Sequence, residues 1–600
     1  MDMFNRIKSA VSSALPGNPL QRDFDTHSQI GSGGPGLLWK IYSGVKRTTK
    51  QEASIFVLEK KVLERYSRRD RERILESLRR GVSQLTRLRH PKILSVLQPL
   101  EESREYLAFA TEPVFASLAN VLGNHENITP VPKELQEYKL FEVEIRHGLL
   151  QVIEGISFLH NDAKIMHHNI CPESIMLNKN GSWKLSGFDF CLLNTNPSEQ
   201  AINPPVAQSN LDFLAPEYTL TMTCSPASDM YSLGVLIYSI FNNGKPLFEC
   251  QGQLSTFQKN AEELRHLRST LLGRVPDELR DYVKLMLNIE PSVRPAPEQI
   301  TKVSFFGDVG SMTLQYLDTL FQRENLEKSQ FFKGLPKIIA KFPVRVNQQR
   351  ILPALYTECN NNNMIPFVLP TILLVAEQSS DKDYVRLILP QLIPMFTIKD
   401  PMQVCLIFLQ NMNLLLSKTP QNDIKTHVLP MINQALESDN SQIQELCLNI
   451  IPTFAELIEY TSLKNSVIPR IKKLTLKTSV LAVRVNCLLC LGQMLEHMDK
   501  WFVIDDILPL LPTIPTREPA VLMGILGIYT VAFSHDKLGL TKDVMSNKIL
   551  PYLIPVSMDN NLNLQQFNAY MALVKEMLQK IETEQRTKLE QLDQMKQEQK

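Results

Sequence analysis

His167-His168-Asn169-Ile170-Cys171-Pro172-Glu173-Ser174 has the spacing of a phosphoryl-transfer loop, H-R-D-L-x-x-x-N. In that pattern the aspartate takes the proton of the attacking hydroxyl and the asparagine holds magnesium. Here the two places carry Asn169 and Ser174. A carboxamide has no proton acceptor that titrates near neutrality, so Asn169 cannot supply the roughly 10²–10⁴-fold expected of a general base. Lys184-Leu185-Ser186-Gly187-Phe188-Asp189 stands where K-L-x-D-F-G would bring a metal-binding aspartate, and that place is Gly187. Asp189 comes two residues later. In a strand-like run it would share the face but stand about 7 Å away, too far to inherit a metal's coordination shell. Ala53-Ser54-Ile55-Phe56 occupies the place of V-A-I-K, whose lysine grips the phosphates, and the lysine has become Phe56. The phosphate-gripping cation, both metal ligands and the base are therefore absent together.

The elements that would position such residues are nevertheless present and in order. Gly31-Ser32-Gly33-Gly34-Pro35-Gly36, followed by Leu38, matches the G-x-G-x-x-G-x-V turn between two strands, a vestigial phosphate loop through Gly31, Gly33 and Gly36. Lys60 and Lys61 come too late in the register to replace Phe56 without turning apolar faces outward, and Lys40 points outward. The helix leading into Leu85-Thr86-Arg87-Leu88-Arg89-His90-Pro91 carries Gly81 where the ion-pairing glutamate would fall, with Glu76 more than a turn away. Leu107 to Val114 reads as a strand and hinge, with Thr111 at its narrow point. Ala215-Pro216-Glu217 resembles the kinase A-P-E motif and Arg294 sits where kinases keep its buried arginine partner, which implies a bidentate pair; by the same resemblance Asp229 caps the backbone of the 167–177 loop, and His167, Phe188, Leu85 and Val96 align with the stack that joins kinase lobes. Over nearly three hundred residues this order describes an α+β bilobal protein-kinase-like domain at 21–308. Its packing is kept and its chemistry withdrawn, so no catalytic residue, cofactor or metal is expected.

Six hundred residues exceed one hydrophobic core. With 64 Lys and Arg against 63 Asp and Glu, no attraction of the whole protein to nucleic acid or membrane follows. Nine cysteines without framework spacing suit a reducing compartment. The C-x-x-C at Cys487 and Cys490 lies in an apolar helical run and lacks the second pair that zinc needs. No apolar run is long enough to span a membrane, and no signal peptide is evident. Residues 1–20 form a leader in which Phe4, Ile7, Val11, Ala14 and Leu15 fall near one helical face. It reads either as a membrane-surface helix or as a frayed segment packed on the domain.

Past Phe305-Phe306 the pattern becomes helical. Pro353, Pro390, Pro430, Pro469, Pro509 and Pro551 each close an apolar tripeptide at intervals of about forty residues, the period of HEAT or armadillo repeats. Residues 309–574 are thus expected to form an all-α solenoid, with the prolines at helix starts and bends. Lys575 to Lys600 is expected to be a charged capping helix or solvated tail. One local charge concentration remains: Arg68, Arg69, Arg71, Arg73, Arg79 and Arg80 lie within Lys60 to Arg89. It reads as a solvated helix face or as a patch for anionic lipid. No groove-reading or stacking motif accompanies it, so nucleic acid is not expected.

The chain resembles the SCY-like pseudokinase family, most of all its coated-vesicle-associated, clathrin-linked branch. Leu85 to Pro91, Thr111 to Gly123 and Phe331 to Pro336 are the most recognisable runs, and the resemblance covers essentially the whole chain. It implies a cytoplasmic protein, peripheral on clathrin-coated vesicles, the trans-Golgi network and endosomes, with trafficking proteins, clathrin or clathrin adaptors as partners. Relatives on that branch carry a long flexible tail with adaptor-binding motifs, a segment the 600 residues do not include. The expected function is a catalytically inactive scaffold or adaptor in vesicle traffic. Two alternatives stand beside it: a weak, unorthodox protein serine/threonine kinase relying on Asp189, and a protein whose function lies in the solenoid alone.

Overall fold

The structure, a computed structural model, describes residues 17–193 and 208–598. The expected leader helix falls largely on residues 1–16, outside the described residues. The chain divides into two compact units, Met1–Arg323 with Lys341–Pro353, and Glu324–Ala340 with Ala354–Lys600.

In the first unit, β1 (Phe24–Gly33), β2 (Trp39–Lys46), β3 (Glu52–Glu59), β4 (Val96–Glu102) and β5 (Tyr106–Thr111) form an antiparallel sheet in the order β1-β2-β3-β5-β4. β3 is central and buried from Ala53 to Leu58, as its nearly unbroken apolar run requires. Against the sheet packs α1 (Arg68–Arg87), opened by Ser67, whose Oγ accepts the Asp70 N–H at 3.2 Å. Its buried stripe Ile74, Leu75, Leu78, Val82 and Leu85 keeps helical spacing. A three-stranded sheet, β6 (Val114–Ser117), β8 (Ile175–Asn178) and β9 (Trp183–Leu185), and a short pair, β7 (Ile165–Met166) with β10 (Leu192–Leu193), carry the 167–189 segment. Two long helices, α2 (Glu142–Phe158) and the almost wholly buried α3 (Pro226–Phe241), support it from below.

The first unit extends past the boundary expected at 308. Its helix α4 (Val309–Asp318) ends on a carboxylate that accepts from Arg350 at 2.8 Å, Gln151 at 3.0 Å and Lys92 at 3.1 Å, and lies 3.3 Å from His147. Arg345 adds an ion pair to Glu144 at 2.5 Å and stacks 3.8 Å over Tyr138. These long-range polar contacts fasten residues 341–353 to the first unit, and repeat periodicity alone could not foretell them.

The second unit is all helical, including α5 (Ile365–Gln378), α6 (Gln403–Gln410), α7 (Ser441–Phe454), α8 (Leu481–Met494), α9 (Pro519–Ser534) and α10 (Leu564–Glu598). Cys487 and Cys490 are buried free thiols in α8. The prolines stand in the first turn of the helical segments that begin at Leu352, Leu389, Leu429, Ile468, Leu508 and Leu550, as expected. Across both units, each follows a widened turn in which the preceding residue bonds the carbonyl five residues back: Leu352 to Asn347, Leu389 to Tyr384, Leu429 to Ile424, Ile468 to Leu463, Leu508 to Val503 and Leu550 to Met545. A proline has no N–H, and its ring collides with the carbonyl four residues earlier. The wider turn moves that carbonyl aside and lets the helix continue. Nor does the chain break near 575. α10 starts at Leu564, buries Tyr570, Leu573, Val574 and Met577, and runs on with an exposed second half.

Candidate functional site

The site is the cleft where β1, β2, β3 and β5 face the 167–189 segment. Strand pairing sets Phe56 opposite Phe109, and their rings stack with centroids 4.7 Å apart. Trp39 meets Phe109 edge-on at 5.0 Å. All three are buried. The cavity they line with Gly81, Met176 and Asp189 measures about 20 Å³, room for about one water molecule. A ligand pocket ordinarily needs about 300–1,000 Å³.

The polar backbone around this space is also committed. At the hinge, the Val114 N–H donates to Ser54 Oγ at 2.9 Å and the Glu112 carbonyl accepts from Thr111 Oγ1 at 2.9 Å. In the glycine loop, the Ser32 N–H donates to Asn120 Oδ1 at 2.9 Å, and Asn120 Nδ2 donates back to Ser32 Oγ at 3.0 Å. The Gly34 N–H donates to the Glu173 carbonyl at 3.0 Å. Gly34 and Gly36 hold positive φ, and a Cβ on Gly33 would run into Met176 Cε. The loop therefore rests on the 167–177 segment, its amides turned to protein acceptors.

That segment is a packed brace. His167 and His168 donate their N–H groups to Asp229 at 2.8 and 2.7 Å, and His160 Nε2 lies 2.8 Å from the same carboxylate. Burial pushes the Asp229 carboxyl up, but the His160 hydrogen bond and the surrounding positive charge and donors bring it below its usual range. Burial pushes both His167 and His168 below the usual imidazole range. Asn169 Nδ2 donates to the Gly187 carbonyl at 3.2 Å. Ser174 Oγ donates to the Cys171 carbonyl at 2.9 Å and accepts the Cys171 N–H at 3.2 Å. Both side chains thus stitch the backbone. The His167 and Phe188 rings lie 4.7 Å apart. Leu85 is buried and Val96 packs half-buried on the same core.

Asp189 is not in a strand-like run, and the expectation of a shared face two rises away is corrected. Gly187 adopts φ 70°, and residues 188–190 form a tight helical turn that swings Asp189 under α1. A Cβ on Gly81 would lie 2.7 Å from Asp189 Cγ and 2.9 Å from its Cα, with Oδ1 closer still. Gly81 therefore does more than stand in for a glutamate: the carboxylate fills the space a side chain would need. Burial raises the Asp189 carboxyl to about 7, against the pull of its own backbone hydrogen bond and the Arg80 charge. Arg80 holds the turn by donating to the Asp189 carbonyl at 2.9 Å.

Elsewhere in the lower lobe, Arg294 grips Glu217 through two bonds of 2.7 and 2.8 Å, fully buried, with Ser228 adding a third at 2.6 Å. The basic stretch is divided. Arg79 pairs with Glu102 and Glu72, each at 3.0 Å, and Arg80 is tied to the 188–190 turn, whereas Arg68 and Arg69 are exposed and Arg71 and Arg73 half-buried. Among the described residues no group of three or more His, Cys, Asp or Glu side chains could hold a metal ion, and no helix is long and apolar enough to cross a membrane.

Sequence reading missed Trp39, Ser54, Phe109, Asn120 and Met176. Ser54 left a signal, a hydroxyl in the alanine place of V-A-I-K. The others enter through strand register and long-range contact.

The protein kinase domain family model matches residues 24–306. Human SCY1-like protein 2 is 56% identical over 100% of this chain and 66% of its own length, so the chain spans about two thirds of that relative. A Dictyostelium discoideum protein bearing the name "Probable inactive serine/threonine-protein kinase scy1" is 24% identical over 91% of this chain and 61% of its own. Among solved structures, the crystal structure of Cex1p aligns with 95% of this chain and 98% of that one at a TM-score of 0.51 and 14% identity, a likeness of fold alone. From a kinase-like first unit, a helical second unit and similarity to SCY1-like protein 2 along the whole of this chain, the chain belongs to the SCY-like pseudokinase family.

Proposed function

We propose that this chain is a catalytically inactive kinase-like scaffold. The observation that carries the reading is the packed interior of the cleft: the cavity beside Trp39, Phe56 and Phe109 measures about 20 Å³, and side chains or carbonyls already pair with the hinge and loop amides that a nucleotide would need. A ligand entering there would have to break these bonds and displace buried rings, a cost of several kcal/mol before any gain. The name of the Dictyostelium relative supports the same reading. The buried Asp189, facing Gly81 rather than solvent, counts against an unorthodox kinase mechanism. The helical second unit supplies extended surface for protein partners.

The cellular part of the proposal rests on the family resemblance: bringing trafficking proteins together, with clathrin or its adaptors among them, in clathrin-dependent vesicle traffic between the trans-Golgi network, endosomes and the plasma membrane. Calorimetry and thermal-shift titration with ATP, with and without magnesium, tests the biochemical part. No heat and no shift are expected, and saturable micromolar binding overturns it. Phe56→Lys is expected to leave ATP unbound as well, because the new ammonium would face Gly81 instead of a glutamate.

A further inference from the structure

The cations around the start of α1 fall into two sets. Lys60 pairs with Glu102 at 2.5 Å, Arg79 with Glu102 and Glu72, and Arg80 with the Asp189 carbonyl, so these serve the fold. Lys61, Arg65, Arg68, Arg69 and Arg73 make no ion pair among the described residues, and the first four are exposed. They occupy the turn Lys60–Arg65 and the first two turns of α1. The nearby acids are partly spent: Asp70 accepts from Ser67 Oγ at 2.8 Å and Glu72 is held by Arg79. Arg65 lies 5.0 Å over the Tyr66 ring, so an aromatic edge accompanies the charge.

The placement works against local stability. The opening turns of a helix present partial positive charge and favour Asp or Glu, yet this end carries four arginines within six residues, Arg68 to Arg73. None of them forms an ion pair within the described chain. Long side chains spread over a turn and a helix end suit many mobile anions rather than one fixed anion. We propose that Lys61, Arg65, Arg68, Arg69 and Arg73 form a docking surface for an anionic lipid bilayer. This surface stands apart from the closed cleft, so the failure of either reading leaves the other intact.

The test is sedimentation of the full chain with vesicles of phosphatidylcholine alone and of phosphatidylcholine with phosphatidylserine, at low and high salt. Binding is expected only to the anionic vesicles and is expected to fade as salt shortens the screening length. Each basic residue at such a surface contributes about fivefold in partitioning. Arg65→Gln/Arg68→Gln/Arg69→Gln should therefore lose about 10²-fold, while Arg87→Gln/Arg89→Gln/Lys477→Gln, with the same change in net charge, should bind as the parent does. Circular dichroism of the variants shows whether the fold is kept. Equal binding to neutral vesicles, retention by the first triple variant, or an equal loss in the second overturns the proposal. So does capture of a soluble oligoglutamate peptide without vesicle binding, which would assign the patch to an acidic protein partner.

Discussion

Gly81→Ala separates local propensity from packing by the sign of its effect. In the interior of α1 an alanine is worth about 1 kcal/mol over glycine, so helix propensity alone predicts stabilisation. The structure predicts the reverse. The new Cβ would sit 2.7 Å from Asp189 Cγ and 2.9 Å from its Cα, and the second of these is backbone that no rotamer can move. Overpacking of this kind costs about 1–3 kcal/mol, and the backbone contact places it toward the upper end, for a net destabilisation of up to about 2 kcal/mol. In an Asp189→Ala background the contacts with Oδ1 and Cγ vanish, so the cost should fall by about 1 kcal/mol or more, a coupling readable as a double-mutant cycle. Urea denaturation followed by tryptophan fluorescence measures it. Trp39 and Trp183 are buried in the first unit while Trp501 is 68% exposed, and a Trp501→Phe background assigns the transition. A rise in the Gly81→Ala midpoint, or equal effects in both backgrounds, would refute the placement of Asp189.

Three further outcomes are expected. Asp189 is raised to about 7 by burial, so the folded state holds its proton more tightly than the unfolded one. That stability is present below about pH 4 and lost as pH rises to 7, so Asp189→Asn should gain on the parent by a few kcal/mol over that window; a constant difference in denaturation midpoints from pH 4 to 8 would contradict this. Arg294→Met strands the buried Glu217 carboxylate and should cost about 3–5 kcal/mol, with the double variant Glu217→Gln/Arg294→Met recovering part of it. Arg350→Met removes the 2.8 Å bond to Asp318 and should raise hydrogen exchange across residues 341–353 while leaving β1 to β5 protected; unchanged exchange would show that the other contacts suffice.

Motif spacing located the frame because the frame is built from local order. His167, Asp229, Glu217 and Arg294 sit in short runs whose residue types are dictated by the hydrogen bonds they make. The cleft was legible only as a set of absent groups. What fills it depends on strand register, which sets Phe109 beside Phe56, and on contacts across nearly ninety residues, such as Asn120 with Ser32. Gly81 misled for a related reason: a glycine in a helix looks like a loss until the side chain that occupies its space is known. The repeat period was plain, but the return of residues 341–353 to the first unit rests on Arg345 and Arg350 meeting distant acids, which no period encodes.

The widened turns before the six prolines carry a consequence for how this chain tolerates insertion and deletion. Each such turn holds one residue more than regular helix would, and each residue of an α-helix advances its faces by about 100°. Deleting a single residue between Tyr384 and Ile388, or in any of the five equivalent stretches, would restore even winding. The extra residue is taken up inside the widened turn, so Leu389 and Leu392 would keep their buried faces, but the carbonyl four residues before the proline would return against its ring. Each proline and the extra residue before it thus form one unit, and loss of that residue should be tolerated only where the proline is lost with it.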